Sequence, residues 1–257
     1  MRFLLVLLAV LMSALAPAFA QDKVAPAPLP DDQKAAIEEV IKNYLIKEHP
    51  EVVMQAMQEL QKRDQASAAT KTHDSITKDK AKIYEDADTP VGGNPKGDVT
   101  IVEFSDFQCG YCKMSEPFVE KILKEDKGVR FIYKDFPVLG PQSIMAAKVA
   151  LAVFHQGGID KYVKFHDALL AKKEHLNDDM IYQSVKDVGL DPEKIKKEAN
   201  SDAMQNHIQA NLDLGIEIGV RGTPMFLIGD KVYPGAMQEY DQMKKAVDEA
   251  RAAAKKG

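Results

Sequence analysis

Cysteine is scarce in this chain. Its 257 residues contain two cysteines, and both lie in the segment FSDFQCGYCKMSEPF at 104–118. Only Gly110 and Tyr111 separate Cys109 from Cys112. The stabilisation that a disulfide provides grows with the loop that it closes, so a bond across so short a loop is a poor structural staple. The pair is therefore a redox couple, half of a metal site or a coincidence.

The sequence also lacks the ligands of a complete zinc site. Structural zinc needs four ligands in tetrahedral geometry, and the chain has no second Cys-X-X-Cys pair. The six histidines show no ligand-like spacing; they are His49, His73, His155, His166, His175 and His207. Copper(I) is satisfied by two soft ligands, so a copper(I)-binding Cys-X-X-Cys module stays open as an alternative.

Positive charge is in slight deficit, with 34 Lys and Arg against 39 Asp and Glu. A nucleic-acid-binding protein calls for basic residues clustered on one face, and the sequence shows no such cluster. We therefore expect no nucleic-acid partner.

Long apolar runs are missing as well. The longest, residues 3–15, is interrupted only by Ser13 and is shorter than the roughly 20 residues that span a bilayer. Arg2 precedes it and the small-X-small sequence Ala18-Phe19-Ala20 follows it, which predicts a signal peptide at 1–20. We expect export to the periplasm, where an oxidising environment makes the redox state of a cysteine pair matter.

A helical segment and linker are predicted at 21–82. A proline-rich leader is followed by apolar residues at helical spacing on both sides of His49-Pro50, and residues 61–82 are almost entirely polar. Either Asp31 or Asp32 is placed to cap the first helix, and Pro50 suits the first turn of the second. An apolar stripe left in water is unfavourable. We expect it to be buried by self-association into a dimer or trimer through residues 31–62, although folding back onto the main domain is the alternative.

The main body is predicted at 90–254, with α/β character. Residues 92–97 suggest a loop, residues 99–104 and 129–136 read as strands, and a helix from 112 to about 125 connects them. This order predicts a βαβ unit with parallel strands. A helical block follows at about 141–215. A hairpin at 225–233 and a final helix at about 238–254 complete the pattern.

Three helix starts are signalled within the helical block. Asn177 and Ser201 are typical N-cap residues, and Asp191-Pro192 combines a cap with a proline in the first turn. A buried helix opens at Pro141 and runs to about Gln156, with shorter helical patterns from about Lys161.

The cysteines follow the first predicted strand directly, which places Cys109 where a helix begins. Free N–H groups and the helix dipole favour negative charge there, so Cys109 is the predicted nucleophilic thiolate. Cys112, one turn further on, is the predicted resolving thiol that releases a mixed disulfide. Gly110 and Tyr111 lie in the turn and are expected to tune the potential. In an exported chain this context favours a redox pair over a metal site.

Three motifs in this order resemble the DsbA-like branch of the thioredoxin superfamily: FSDFQCGYCKMSEP, YKDFPVLGP at 133–141 and GVRGTPMFLIGD at 219–230. The resemblance covers about 90–254. It implies a thioredoxin fold with an inserted helical domain, preceded here by an N-terminal helical extension. It also implies that Pro224 is the family's cis-proline, that Thr223 before it contacts Cys109 or substrate, and that Glu103 is the buried acid serving the resolving thiol.

The dipeptide between the cysteines departs from the Pro-His of the family's strong oxidases. Gly110-Tyr111 with Thr223 resembles disulfide isomerases, and the N-terminal extension resembles that of the suppressor-of-copper-sensitivity group. The resemblance implies an isomerase acting on cysteines of exported proteins, with net oxidation as the runner-up. It implies no organic cofactor beyond the Cys109–Cys112 couple, and a membrane-bound redox partner that resets it.

Overall fold

The computed structural model describes residues 29–255, so the predicted signal peptide at 1–20 lies outside the described residues. The chain divides into two compact units, Met1–Leu60 and Gln61–Gly257. Among the helices of residues 29–255, none combines the length and apolar character needed to cross a membrane.

The described part of the first unit, residues 29–60, is helical. Helix α1 (Asp31–Lys42) continues into a π-helical turn (Asn43–Glu48), and α2 (Pro50–Lys78) begins at the predicted proline; the boundary between the units falls within α2. The expectation that Asp31 or Asp32 caps α1 is wrong, because Pro30 holds that position and both aspartates lie in the first turn. Acidic side chains there still favour the helix through its dipole.

Most apolar residues between 29 and 60 are exposed. Val40, Ile46 and Leu60 have 67%, 64% and 60% of their surface accessible, and no described residue from 29 to 60 is buried. Further exposed members are Ile37, Ile41, Tyr44, Val53, Met54 and Met57. We call this set the N-terminal apolar face.

The second unit is built on a five-stranded sheet of order β1-β3-β2-β4-β5. The strands are β1 (Val91–Gly93), β2 (Val99–Ser105), β3 (Val129–Asp135), β4 (Met225–Ile228) and β5 (Lys231–Pro234). Strands β2 and β3 are parallel and joined by α4 (Gly110–Glu125), which confirms the predicted βαβ unit. The β4–β5 hairpin is confirmed too, with Gly229 at φ +61° in its turn.

Strand β1 differs from the loop expected around Gly92. It pairs antiparallel with β3, Val91 opposite Ile132 and Gly93 opposite Arg130. Two glycines give a segment little β propensity of its own. Backbone pairing with the edge of β3 decides its conformation, which local sequence does not reveal.

The remaining helices are α3 (Lys80–Tyr84), α5 (Pro141–Leu170), α6 (Asp178–Asp187), α7 (Pro192–Ala199), α8 (Asp202–Glu217) and α9 (Tyr240–Ala254). The three predicted caps are confirmed: side chains of Asn177, Asp191 and Ser201 accept backbone N–H groups. The predicted break within α5 is confirmed, because Gly158 at φ +72° is non-helical and kinks the chain between the helix that opens at Pro141 and the helical segment that follows.

The two faces of the sheet carry separate cores, and alternation along β2 distributes its side chains between them. Ile101 lies in the core that contains both cysteines and residues of α4, α5 and α9, whereas Val102 lies in the opposite core. Ile83 and Ile76 also belong to that opposite core. The segment predicted as a polar connector at 61–82 therefore packs against the sheet through Ile76, and Ile83 follows just after it.

Candidate active site

The cysteine pair lies where β2 leads into α4. Cys109 occupies the N-cap position of α4, and Cys112 lies one turn into the helix. The residues are 6% and 0% accessible, respectively, so both are buried and Cys109 is the more open of the two. In this structure both are free thiols.

The surroundings of Cys109 stabilise its thiolate and lower its pKa to about 5. The largest cause is a hydrogen bond from the Cys112 thiol; the Thr223 side chain and the backbone N–H groups of Cys112 and Tyr111 add to it, against the opposing effect of burial. The helix start, on which the sequence argument relied, thus contributes through its N–H groups but less than the second cysteine does.

The pKa of the neighbouring thiol, Cys112, is shifted in the opposite direction. Burial raises the pKa of Cys112 well above its ordinary value, and the hydrogen bond to Cys109 and the charge of Glu103 raise it further. A thiolate attacks a disulfide far faster than a thiol does. The two opposite pKa shifts therefore distinguish the sulfurs, and Cys109 is the more readily ionised of the two.

The loop before β4 reaches the same sulfur. The Thr223–Pro224 peptide bond is cis, Pro224 is buried, and the Sγ of Cys109 lies 3.2 Å from the carbonyl oxygen of Thr223. Antiparallel pairing of β4 with β2, Met225 opposite Phe104, brings this loop to the cysteines across the sheet. The structure therefore brings Thr223 and Pro224 together with Cys109.

Glu103 lies inside the protein, 1% accessible, on the central strand β2. It alternates with Val102 and Phe104 and therefore faces the cysteine side of the sheet. Burial raises its pKa to about 8, with further contributions from the charges of Cys109 and Asp135. Its two carboxylate oxygens have no hydrogen-bonding partner among the described residues.

The dipeptide of the motif is open to its surroundings. Tyr111 is 63% accessible, and a side chain added at Gly110 would meet no atom within 4 Å. Three other exposed apolar residues belong to the same region: Met114 on the first turns of α4, and Val138 and Leu139 in the loop after β3. We call Tyr111, Met114, Val138 and Leu139 the apolar rim.

Sequence reasoning missed Asp106, which holds the turn in place. Its buried carboxylate accepts hydrogen bonds from the backbone N–H groups of Gln108, Val138 and Leu139 and from the Ser143 hydroxyl, at 2.7–3.0 Å. An aspartate two residues before a turn N–H is a local signal for such an Asx turn. The hydrogen bonds that Asp106 accepts from Val138 and Leu139, in the loop after β3, depend instead on the tertiary structure.

A groove of about 1120 Å³ adjoins the cis-proline loop. Its walls include Thr223, Pro224, Tyr233 of β5, and Lys71 and His73 of α2. The groove therefore adjoins the Cys109 site through Thr223, whose carbonyl oxygen contacts the cysteine sulfur.

Two groups of carboxylates and histidine lie close together in the described part of the chain: Asp86, Asp88 and His207, and Glu116, His166 and Asp167. Neither contains a cysteine. Sequence spacing did not show either group, because each joins residues from different elements.

Two family models match the chain. One, described as a DSBA-like thioredoxin domain, matches residues 100–248, and the other, described as the copper resistance protein ScsC N-terminal domain, matches residues 33–67. Among solved structures, a linker-deletion mutant of Proteus mirabilis ScsC is 27% identical, with 89% of this chain and all of that chain covered and a TM-score of 0.66. A periplasmic thioredoxin-like protein from Salmonella enterica serovar Typhimurium is 31% identical, with 67% and 95% covered and a TM-score of 0.62.

Curated relatives match over parts of their length. A probable disulfide bond formation protein D from Bacillus cereus is 28% identical over 167 residues, which is 61% of this chain and 76% of the relative. The chain spans only 22% of the length of two Na⁺/H⁺ antiporters named NhaA, from Salinispora tropica and Salinispora arenicola. With its thioredoxin fold, its cysteine pair and a family match over more than half its length, the chain belongs to the DSBA-like thioredoxin-domain family of thiol–disulfide oxidoreductases and carries an ScsC-type N-terminal domain ahead of the thioredoxin domain.

Proposed function

We propose that this protein is a periplasmic thiol–disulfide oxidoreductase that acts on cysteines of exported proteins, with disulfide isomerisation as its leading activity. The observation that carries the proposal is the asymmetry of the pair. The pKa of Cys109 is lowered to about 5, whereas that of buried Cys112 is raised.

The proposed reaction is two exchanges. The Cys109 thiolate attacks one sulfur of a substrate disulfide, the substrate S–S bond breaks, and the other substrate sulfur leaves as a thiolate. Once Glu103 has released its own proton, its carboxylate accepts the proton of Cys112, which attacks the Sγ of Cys109. The Cys109–substrate bond breaks, the substrate leaves as a thiolate, and the Cys109–Cys112 disulfide remains. In isomerisation a substrate thiol performs the second attack, and the pair is regenerated reduced.

Substrate is proposed to bind in the groove beside Thr223 and Pro224, where the family resemblance puts backbone pairing with substrate. The apolar rim around Gly110 and Tyr111 suits unfolded polypeptide, whose apolar side chains are accessible. No organic cofactor takes part, and a membrane-bound partner resets the redox state of the pair.

Isomerisation is favoured over net oxidation because of the N-terminal apolar face. Self-association through residues 31–62, as a dimer or trimer, would cover this face and direct several cysteine pairs at one misfolded substrate. The match of residues 33–67 to the ScsC N-terminal domain supports this arrangement. Export is supported by the predicted signal peptide and by the periplasmic relative from Salmonella.

Refolding of scrambled ribonuclease tests the proposal directly. The mature protein should restore ribonuclease activity, and Cys109→Ser should abolish the effect. A protein that oxidises reduced ribonuclease rapidly but leaves the scrambled form inactive would be a net oxidase, the second candidate, which the likeness to disulfide bond formation protein D favours. Tight copper(I) uptake that depends on both cysteines, without disulfide exchange, would instead show a copper-binding module.

A further inference from the structure

A cluster of buried polar side chains lies on the cysteine side of the sheet. Oxygen or nitrogen atoms of Glu103, Glu116, Tyr162 and His166 are fully buried and have no hydrogen-bonding partner among the described residues. Buried polar atoms in native proteins are almost always paired, so each exception asks for an explanation, and a catalytic role is one of the recognised ones. Because four such residues lie in one region, we expect a functional role that they share.

Tyr133 of β3 links the buried acid on the sheet to the side chains of α5. Glu103 of β2 and Tyr133 of β3 are register partners on neighbouring parallel strands. The Tyr133 ring lies 4.9 Å from the His166 ring and 5.1 Å from the Tyr162 ring, measured between centroids, and Tyr162 stacks on His166 at 5.8 Å. The cluster therefore runs continuously from the buried acid on the sheet to helix α5.

The cluster reaches solvent at one end. The Nδ1 of His166 lies 3.8 Å from the Oε1 of Glu116 and 3.1 Å from the Oδ1 of Asp167. The side chains of His166 and Glu116 are 1% and 8% accessible, whereas that of Asp167 is 32% accessible. Asp167 is thus the point at which a proton held inside can be exchanged with water.

The two buried carboxyl groups, those of Glu116 and Glu103, have similar pKa values. Burial raises the pKa of Glu116 to about 8; His166 opposes the rise, and Glu103 adds to it. The pKa of Glu103 is raised to about the same value. Proton transfer between groups of similar pKa costs little free energy.

The titratable and charged groups facing the cluster are Cys109, Cys112, Glu103, Asp135, Tyr133, Tyr162, Glu120 and Asp167.

Formation of the mixed disulfide creates the need for a proton exit. The charge of the Cys109 thiolate is one cause of the raised pKa of Glu103. When Cys109 is bonded to substrate that charge is gone, so the pKa of Glu103 falls towards the value set by burial, which favours release of its proton. The carboxylate then accepts the proton of Cys112. Cys112 is 0% accessible, and the substrate bonded to Cys109 covers the front of the site, so the proton must leave through the interior.

We infer that Glu116 and His166 form a proton path from Glu103 to Asp167, and so to solvent, that serves the resolving step of Cys112. The inference rests on the thiol–disulfide exchange proposed above. It assigns Glu116 and His166 as residues that act through Glu103 rather than on substrate.

Reaction of the reduced protein with the aromatic disulfide dithiobis(nitrobenzoate) separates the two steps. Cys109 attacks first and releases one coloured thiolate. Cys112 then displaces the second and leaves the Cys109–Cys112 disulfide. Stopped-flow absorbance at pH values from 5 to 9 would give a rate for each phase in Glu116→Gln, His166→Phe and Asp167→Asn.

We expect the second phase to slow roughly tenfold in Glu116→Gln and His166→Phe, less than the hundredfold or more that a general base itself contributes. The first phase should stay within about twofold of the unmodified protein, since Cys109 does not use the path. Asp167→Asn removes the exposed carboxylate at the end of the path and should slow the second phase as well.

Matched controls come from the same helices. Glu125→Gln removes one charge from an exposed position of α4 that does not face the cluster, and His155→Phe replaces a partly exposed histidine of α5. Both should leave the two phases unchanged. His166→Phe keeps an aromatic ring in the cluster, and an unchanged first phase would show that the variant is folded.

Unchanged second phases in Glu116→Gln and His166→Phe across the pH range would overturn the path. Equal slowing of both phases would overturn it as well, because it would indicate a structural effect. If the unmodified protein released no thiolate in a second phase, the proposed exchange function itself would fail, which is a different and recognisable result.

Discussion

The Sγ of Cys109 lies 3.2 Å from the carbonyl oxygen of Thr223, although the two residues are 114 positions apart in the chain. The Thr223 side chain is also among the groups that lower the pKa of Cys109. A single residue of the cis-proline loop therefore contacts the reactive sulfur through its backbone and stabilises its charge through its side chain.

Replacing Thr223 should weaken the Cys109 thiolate. Thr223→Val keeps the shape of the side chain but removes the hydroxyl, so the pKa of Cys109 should rise by up to about one unit, which corresponds to about 1.4 kcal/mol. Thiolate absorbance near 240 nm measured against pH would follow this change. Thr223→Ser retains the hydroxyl and should stay near the unmodified value; an equal rise in both variants would contradict the assignment.

The second cysteine should set the pKa of the first. Its thiol is the largest cause of the lowered pKa of Cys109. Cys112→Ala removes that donor, so the Cys109 pKa should move from about 5 towards the ordinary value of about 8.5. Alkylation rates of Cys109 measured against pH would show the shift.

The matched variant Cys112→Ser keeps a hydrogen-bond donor at the same position and should retain most of the effect. If Cys109 titrates like an exposed cysteine even with Cys112 in place, the enzymatic interpretation fails.

Glu103→Gln should change how stability depends on pH. The folded state holds the Glu103 proton up to a pKa of about 8, whereas the unfolded state releases it near 4.5, so stability falls as pH rises through this window. The variant lacks this loss and should be the more stable protein at pH 8, by on the order of 2 kcal/mol. Urea unfolding at pH 4.5 and pH 8 measures the difference in the free energy of unfolding between the variant and the unmodified protein. A stability difference independent of pH would argue against a protonated Glu103.

Loss of the Asp106 carboxylate should loosen the turn that carries the cysteines. Asp106→Ala leaves three backbone N–H groups and the Ser143 hydroxyl without their acceptor, and each bond to a charged group contributes about 1.5–3 kcal/mol. We expect destabilisation of more than about 2 kcal/mol in urea unfolding. Ser143→Ala removes only one of these bonds and should cost clearly less; equal costs would show that the other three contribute little.

The N-terminal apolar face should control assembly. Val40→Asp places a charge on a residue that is 67% accessible, so it should leave the fold intact and break self-association. Light scattering should show that the mature protein is a dimer or trimer and that the variant is a monomer. The monomeric variant should still exchange disulfides but isomerise them poorly. A monomeric unmodified protein would contradict the prediction.

A truncation that tests the same point should end at residue 60. The second unit begins at Gln61, and Ile76 and Ile83 pack in its core, so removal of residues up to 82 would also strip part of that core. Lys134, buried on β3, bonds Asp86 and Thr89 and fixes the chain just beyond this point.

Much of the fold was predictable because its signals are local. The β-branched run of β2, the caps at Asn177, Asp191 and Ser201, and the turn at Gly229 depend on residues a few positions apart. Strand β1 was missed, since it forms by pairing with β3, which lies far from it in the chain.

Local sequence alone determined that Cys109 would stand where a helix begins, because a buried strand followed at once by helical spacing leaves the turn no other position. Only the folded chain decided what surrounds that sulfur. Sheet pairing brings Thr223 to Cys109, and packing of α4 and α5 on β2 and β3 places Glu103, Glu116 and His166 together behind it. These partners come from distant parts of the chain, and their charges interact strongly because the fold removes them from water.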